Sequence, residues 1–249
     1  MIGRVREEAA TLTVAVQFLT RLPVPGHVWT PARERAAVRW YPLVGALVGA
    51  LSASALLAAA AIWSPPIAAL LAMAAGLLLT GAFHEDGLAD TFDGMGGATR
   101  ERALAIMRDS RLGTYGLLAL ALALGLKVAA LSDLPAPRAA AALVAGHALS
   151  RLSAVLVIAT AAYARDDGTG KFTAAGVSGA SLLVASLTGL ATLPLLGSGW
   201  AAALAGVAAG HGLARLAFQR RLGGYTGDCL GATQQLSELG LYLALAAWR

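Results

Sequence analysis

Seven long apolar runs, most of them bounded by proline or glycine, constrain this chain more than anything else in it. They lie near 41–63, 66–83, 113–131, 137–163, 176–196, 199–218 and 233–248. A helix needs about 20 predominantly apolar residues to cross a bilayer. Pro42, the Pro65–Pro66 pair, Pro135, Pro137, Gly197 and Gly199 mark the borders, where such residues break regular structure. Composition agrees. Only 13% of the 249 residues are charged and 57% are hydrophobic, against about 25% charged in a soluble domain. Alanine and glycine are abundant, and small residues let helices approach where no water drives them together. The expected fold is all-α, a polytopic integral membrane bundle of about seven transmembrane helices forming one domain over residues 1–249. Arg4 and Arg6 before an apolar stretch resemble a signal peptide, but Gln17 and Arg21 interrupt it and no small-residue cleavage site follows. An interfacial or re-entrant helix over 8–22 is expected instead.

The net charge of +5 does not point to nucleic acid, because the arginines occupy short loops between apolar runs rather than a basic stripe. Segments 1–40, 84–112, 164–175 and 219–232 hold fourteen lysines and arginines, while the opposite connections and the C-terminal end hold two, Arg138 and Arg249. Loops rich in lysine and arginine stay on the cytoplasmic side. The N-terminus and the four richer segments are therefore expected in the cytoplasm. The single cysteine, Cys229, excludes an internal disulfide and a cysteine-based zinc site.

The most informative loop is His84-Glu85-Asp86-Gly87-Leu88-Ala89-Asp90-Thr91-Phe92-Asp93-Gly94, which holds four of the fourteen acidic residues. Asp86, Asp90 and Asp93 are spaced i, i+4, i+7 and fall within about 60° on a helix. Three such carboxylates repel one another unless a cation intervenes. Oxygen ligands of this kind suit Mg²⁺, or Mn²⁺, rather than zinc. Magnesium on aspartates, with phosphate completing its shell, is the arrangement of phosphoryl transfer. The competing reading is a solvated acidic helix face.

Arg108-Asp109-Ser110-Arg111-Leu112-Gly113-Thr114-Tyr115-Gly116 follows. Arg108 and Arg111 are candidates to clamp a diphosphate, with Gly113 and Gly116 allowing close backbone approach. Positive-inside anchoring explains the same arginines. Gly224, Thr226 and Asp228 stand in a second glycine-rich loop, and Asp166, Asp167 and Lys171 form a weaker patch. An octamer with His147 and Arg151 recurs with His211 and Arg215. Each pair is four apart and shares a helix face, and buried ionisable groups in a membrane usually line a polar interior. That repeat, with Lys127 inside a span, also supports a transporter reading.

Metal-binding aspartates, phosphate-binding arginines and a membrane body also suit a CDP-alcohol-type phospholipid phosphotransferase. Its usual Asp-Gly-x-x-Ala-Arg signature is absent, because Asp90 and Thr91 stand where the alanine and arginine belong. The motifs instead resemble the cobalamin synthase family, the adenosylcobinamide-GDP ribazoletransferases. The matching pieces are Phe18-Leu19-Thr20-Arg21-Leu22-Pro23, His84-x-Asp86-Gly87-Leu88-Ala89-Asp90-x-x-Asp93-Gly94, Arg108-Asp109-Ser110-Arg111-x-Gly113-x-x-Gly116 and Gly224-Tyr225-Thr226-Gly227-Asp228-x-Leu230-Gly231-Ala232. The resemblance implies joining adenosylcobinamide-GDP to α-ribazole or its 5′-phosphate, with release of GMP, late in cobalamin (vitamin B12) biosynthesis. It implies Mg²⁺ on Asp86, Asp90 and Asp93, a general base among those aspartates or Asp228, and a diphosphate held by Arg108 and Arg111. The His147/Arg151 and His211/Arg215 pairs are expected along the cavity floor.

Overall fold

The computed structural model describes residues 2–24, 26, 29–165 and 171–248. Among them the secondary structure is helical, with one isolated parallel bridge, Tyr163 to Tyr225. Eleven α-helices follow in order: α1 (Ile2–Leu19), α2 (Pro31–Ala37), α3 (Tyr41–Ala60), α4 (Pro65–Thr80), α5 (Phe83–Met95), α6 (Arg100–Ile106), α7 (Thr114–Ser132), α8 (Ala136–Thr160), α9 (Gly179–Leu190), α10 (Trp200–Leu222) and α11 (Gly227–Ala247).

Each of the seven apolar runs contains a helix, but not all are spans on their own. Four stretches are long and apolar enough to cross a membrane: Pro31–Ala60, Thr114–Ser132, Ala136–Thr160 and Leu193–Leu222. A fifth is reached if α4 and α5 are counted as one broken span. The 12 residues of α9 rise only about 18 Å, short of the ~30 Å hydrocarbon layer. The 21 residues of α11 are long enough but carry Asp228, Gln234, Gln235 and Glu238, most of them buried inside the bundle. The N-terminal helix starts and ends earlier than expected, at Ile2 and Leu19.

Small residues set the helix spacing. Gly45 and Gly49 on α3 face α8 so closely that a Cβ on Gly45 would collide with the His147 carbonyl oxygen. Gly206 and Gly210 on α10 meet the Gly240 and Leu236 carbonyl oxygens of α11 in the same way. Both pairs are Gly-x-x-x-Gly, the spacing that brings two backbones together. The outer faces stay greasy, with Leu78, Leu122, Leu187 and Leu213 all exposed.

The acidic loop is helical, as its spacing predicts, and its helix α5 turns 90° from α4. Gly81 and Ala82 make that turn with φ of 67° and 57°, a left-handed conformation that a non-glycine residue adopts only at some cost. A side chain on Gly81 would also strike the Arg21 guanidinium. The bend takes α5 out of the line of α4 and sets it across α11.

Candidate active site

Two cavities meet at Asp86. A partly enclosed one of about 140 Å³ lies among α1, α3, α5, α8, the short 3-10 turn Lys171–Ala175 and the start of α11. An open groove of about 670 Å³ lies beside it, reaching Arg21, Thr80, Glu85 and Leu112. Phe18, Phe83 and Asp86 line both.

Asp86 is exposed in the first turn of α5. Asp228 enters from the first turn of α11, which crosses α5 where Gly87 and Gly231 pack without side chains. Its Oδ2 lies 3.0 Å from Arg165, a cation the sequence reading passed over. Burial pushes the Asp228 carboxyl up and Arg165 opposes it. Asp90 is the most strained of the group. Burial, then the like charges of Asp228 and Asp86, push it up to about 7. The like charges of Asp228 and Asp86 thus act on Asp90, and that of Asp86 on Asp228. Among the described residues no three His, Cys, Asp or Glu side chains form a ready metal-ligating group. Asp86 and Asp90 still fit a hard cation, because Mg²⁺ takes one or two protein carboxylates and fills its shell with water and phosphate.

Asp93 does not join them. Its Oδ2 accepts the Gly113 N–H at 2.7 Å and its Oδ1 the Gly116 N–H at 2.8 Å. It caps the N-terminus of α7, where unpaired N–H groups and the helix dipole favour an anion. This corrects two expectations. Asp93 is committed to the fold rather than to a metal, and the two glycines make room for its carboxylate rather than for a phosphate. A Cβ on either would collide with an Asp93 oxygen.

The glycine-rich loop before α11 is likewise structural. Thr226 is fully buried and caps α11 by accepting the Cys229 N–H. Gly224 lies against the Ala162 carbonyl, beside the Tyr163–Tyr225 bridge. Neither lines the smaller cavity or the open groove beside Asp86, where they were expected to meet substrate. Arg108 and Arg111 are exposed on the loop that leads to the groove. Arg111 is paired with Asp109, whose carboxyl it holds down at about 2. Asp166 and Asp167 lie outside the described residues.

The two copies of the repeat part company. Arg151 is 1% exposed, lines the smaller cavity, and donates to the His147 carbonyl oxygen at 3.0 Å, its Nη1 lying 3.1 Å from His147 Nδ1. Behind it, Glu238 lies 3.3 Å from His147 and accepts from Lys127 at 2.9 Å. Lys127 also donates to Gln235, which passes a hydrogen bond to Glu85 at 2.7 Å. Lys127 thus belongs to a buried polar network that runs from Glu238 through Gln235 to Glu85 at the groove. His211 lies 2.9 Å from Ser153 instead, and Arg215 donates to Thr160 at the end of α8. The second copy tacks α10 to α8 and reaches neither cavity.

Sequence reasoning also missed the aromatic wall. Phe18 packs on Tyr41, Phe83 and Phe172 with ring centroids 5.9, 5.3 and 5.5 Å away. The chain has five phenylalanines in all, so three of them in one wall was a signal available only once residues distant in sequence were brought together.

Comparison with known proteins identifies the lineage. No solved structure matches the chain. The chain is 47% identical to the adenosylcobinamide-GDP ribazoletransferase of Leptothrix cholodnii, over 96% of each chain. Against the enzyme of the same name from Ralstonia nicotianae it is 46% identical, over 100% of this chain and 99% of the relative. For that of Shewanella frigidimarina the figure is 44%, over 94% and 93%. With the family profile for cobalamin-5-phosphate synthase matching residues 11–246 as well, the chain belongs to the cobalamin-5-phosphate synthase family.

Proposed function

We infer that this chain joins adenosylcobinamide-GDP to α-ribazole or its 5′-phosphate, the last assembly step of cobalamin, and releases GMP. One observation carries the reading: Asp86 lines both the smaller cavity and the open groove, Asp228 lines the smaller cavity, and the charges of both act on Asp90 behind them. Two substrates can then meet at a cluster of carboxylates.

In this reaction a ribose hydroxyl oxygen bonds to the phosphorus carried by the cobinamide arm. The bond from that phosphorus to the GMP oxygen breaks, and the hydroxyl proton passes to one of the three carboxylates. Asp86 and Asp90 are the residues that would hold Mg²⁺, which when bound offsets charge on the phosphoryl oxygens. Arg165 keeps Asp228 in place by its 3.0 Å contact. Arg21 lies in the groove with Asp86 and offers the diphosphate a cation, a role the sequence reading gave to Arg108 and Arg111. The corrin, too large for the smaller cavity, stays in the open groove.

The protein is a multi-pass membrane protein, and we place its site at the cytoplasmic face of the inner membrane. Three of the four segments rich in arginine meet at one end of the bundle, where Arg100 donates to the Leu222 and Ala164 carbonyl oxygens. The test is an assay of purified protein in liposomes with adenosylcobinamide-GDP, α-ribazole 5′-phosphate and Mg²⁺, following GMP and cobalamin phosphate by chromatography. Product that vanishes with EDTA supports both reaction and metal. Product that persists in EDTA refutes the metal, and none from folded protein refutes the reaction.

A further inference from the structure

We propose that the smaller cavity holds the heteroaromatic base of the ribazole acceptor, a flat benzimidazole-type ring, while the donor occupies the open groove. The inference rests on the transferase reading above and divides its site between the two substrates.

Size excludes the rest of the substrates. Cavities for whole drug-sized ligands run to roughly 300–1,000 Å³, and this one measures about 140 Å³. A corrin or an entire nucleotide does not fit, but one bicyclic ring does, with its sugar left at the mouth. Wall chemistry then chooses the ring. Phe18, Phe83 and Phe172 supply aromatic faces, and Leu19, Ala154 and Ile158 supply aliphatic contact. Rings stack on such walls in offset or edge-on geometry.

Guanine, the other base in the reaction, carries hydrogen-bonding groups along most of its edge. Against Ala154 and Ile158 they would be left unpaired, a desolvation cost that an apolar ring edge does not carry. A benzimidazole attached through one nitrogen has a single remaining acceptor. The cavity is lined by one buried cation, Arg151, whose Nε has no hydrogen-bond partner. One acceptor facing Arg151 and an otherwise apolar edge match the part of the lining made by Phe18, Phe83, Phe172, Ala154 and Ile158, while the polar Asp86 and Asp228 stand on another side. Polarity also fixes the direction: a base placed among these rings leaves its ribose toward Asp86 and Asp228, which line the same cavity, and the ribose carries the attacking hydroxyl.

Steady-state kinetics with both substrates varied tests the assignment. Ala154→Phe fills the cavity from α8. It should raise KM for α-ribazole at least about tenfold, the scale of a misfit of a methylene or more, and leave KM for adenosylcobinamide-GDP unchanged. Phe172→Ala, on the short turn outside the spans, opens the wall. It should also raise KM for α-ribazole, and a ribazole with a bulkier tricyclic base should recover the loss. Calorimetry with α-ribazole alone supplies a readout free of turnover: heat of binding for the wild type, much reduced for Ala154→Phe. If the donor KM rises instead, or neither KM moves in a variant with wild-type thermal stability, the assignment is wrong. Should Ala154→Phe not fold, Phe172→Ala decides alone. A wild type that forms no cobalamin product, yet binds α-ribazole in a manner lost on filling the cavity, refutes the transferase reading and spares the cavity.

Discussion

Asp86, Asp90 and Asp93 look equivalent on a helical wheel, and their surroundings make them three different residues. Asp86 faces both cavities, Asp90 sits among like charges, and Asp93 holds two backbone amides. Alanine at Asp86 should therefore abolish turnover while leaving the melting temperature close to wild type. Alanine at Asp93 should instead cost about 1–2 kcal/mol, the scale of a lost helix cap, and any loss of activity should follow the loss of fold. Thermal melts beside the liposome assay separate the two. Asp90 makes a pH-dependent prediction. The fold raises its pKa from 3.8 to about 7, so between those values the folded chain binds more protons than the unfolded one. Stability then falls as pH rises from about 4 to 7. In EDTA the wild type should lose stability across that window and Asp90→Asn should not. Excess Mg²⁺ should shrink the difference, and equal slopes for the two proteins would show that Asp90 carries no such shift. The i, i+4, i+7 spacing revealed that three aspartates share a face. It held no information about Gly113 and Gly116, 20 and 23 residues onward, which claim one of them.

At the scale of elements, apolar run length located the helices well, and long-range packing decided what each helix does. The octamer repeat shows the limit. His147 and His211 sit in near-identical octamers, yet α8 is the buried centre of the bundle and α10 is not, so only one copy meets the polar core. Gly-x-x-x-Gly on α3 and α10 is visible in sequence once one asks which residues permit backbone contact. Lys127 on α7 and Glu238 on α11 are 111 residues apart, and no local pattern joins them. Glu238 is the hub of that network, touching Lys127, His147 and Gln234. Removing one partner of a buried pair costs about 3–5 kcal/mol, because the other is left as an uncompensated charge. Glu238→Ala strips the charge partner from Lys127, leaving it Gln235 alone, and the facing carboxylate from His147. Lys127→Met leaves Glu238 its Gln234 and His147 contacts. Melting temperatures in detergent should fall for both and further for Glu238→Ala. The reverse order would mean that Lys127, not Glu238, organises the core.

For the whole molecule, the asymmetry of charge and the asymmetry of shape coincide. The end that carries α5, the Arg165 segment and the start of α11 holds the two cavities that meet at Asp86, and Arg100 ties its segments together. The other end has the tight turn after α3 and the Arg138 contact with the Trp248 carbonyl oxygen. The positive-inside rule predicts that such a bundle keeps its basic end in the cytoplasm, the side from which the proposed reaction would draw its nucleotide-activated donor. The chain suits a direct test, because its one cysteine, Cys229, is fully buried and gives little background to a thiol reagent. Ser110, exposed on the loop before α7, marks the basic end, and Ser64, exposed before α4, marks the opposite one. In intact cells a membrane-impermeant maleimide should label Ser64→Cys from the periplasm. It should label Ser110→Cys only after the inner membrane is permeabilised. The reverse pattern would turn the bundle over and put the carboxylates on the far side of the membrane from the cytoplasmic nucleotide pool, which the proposed reaction could not then use.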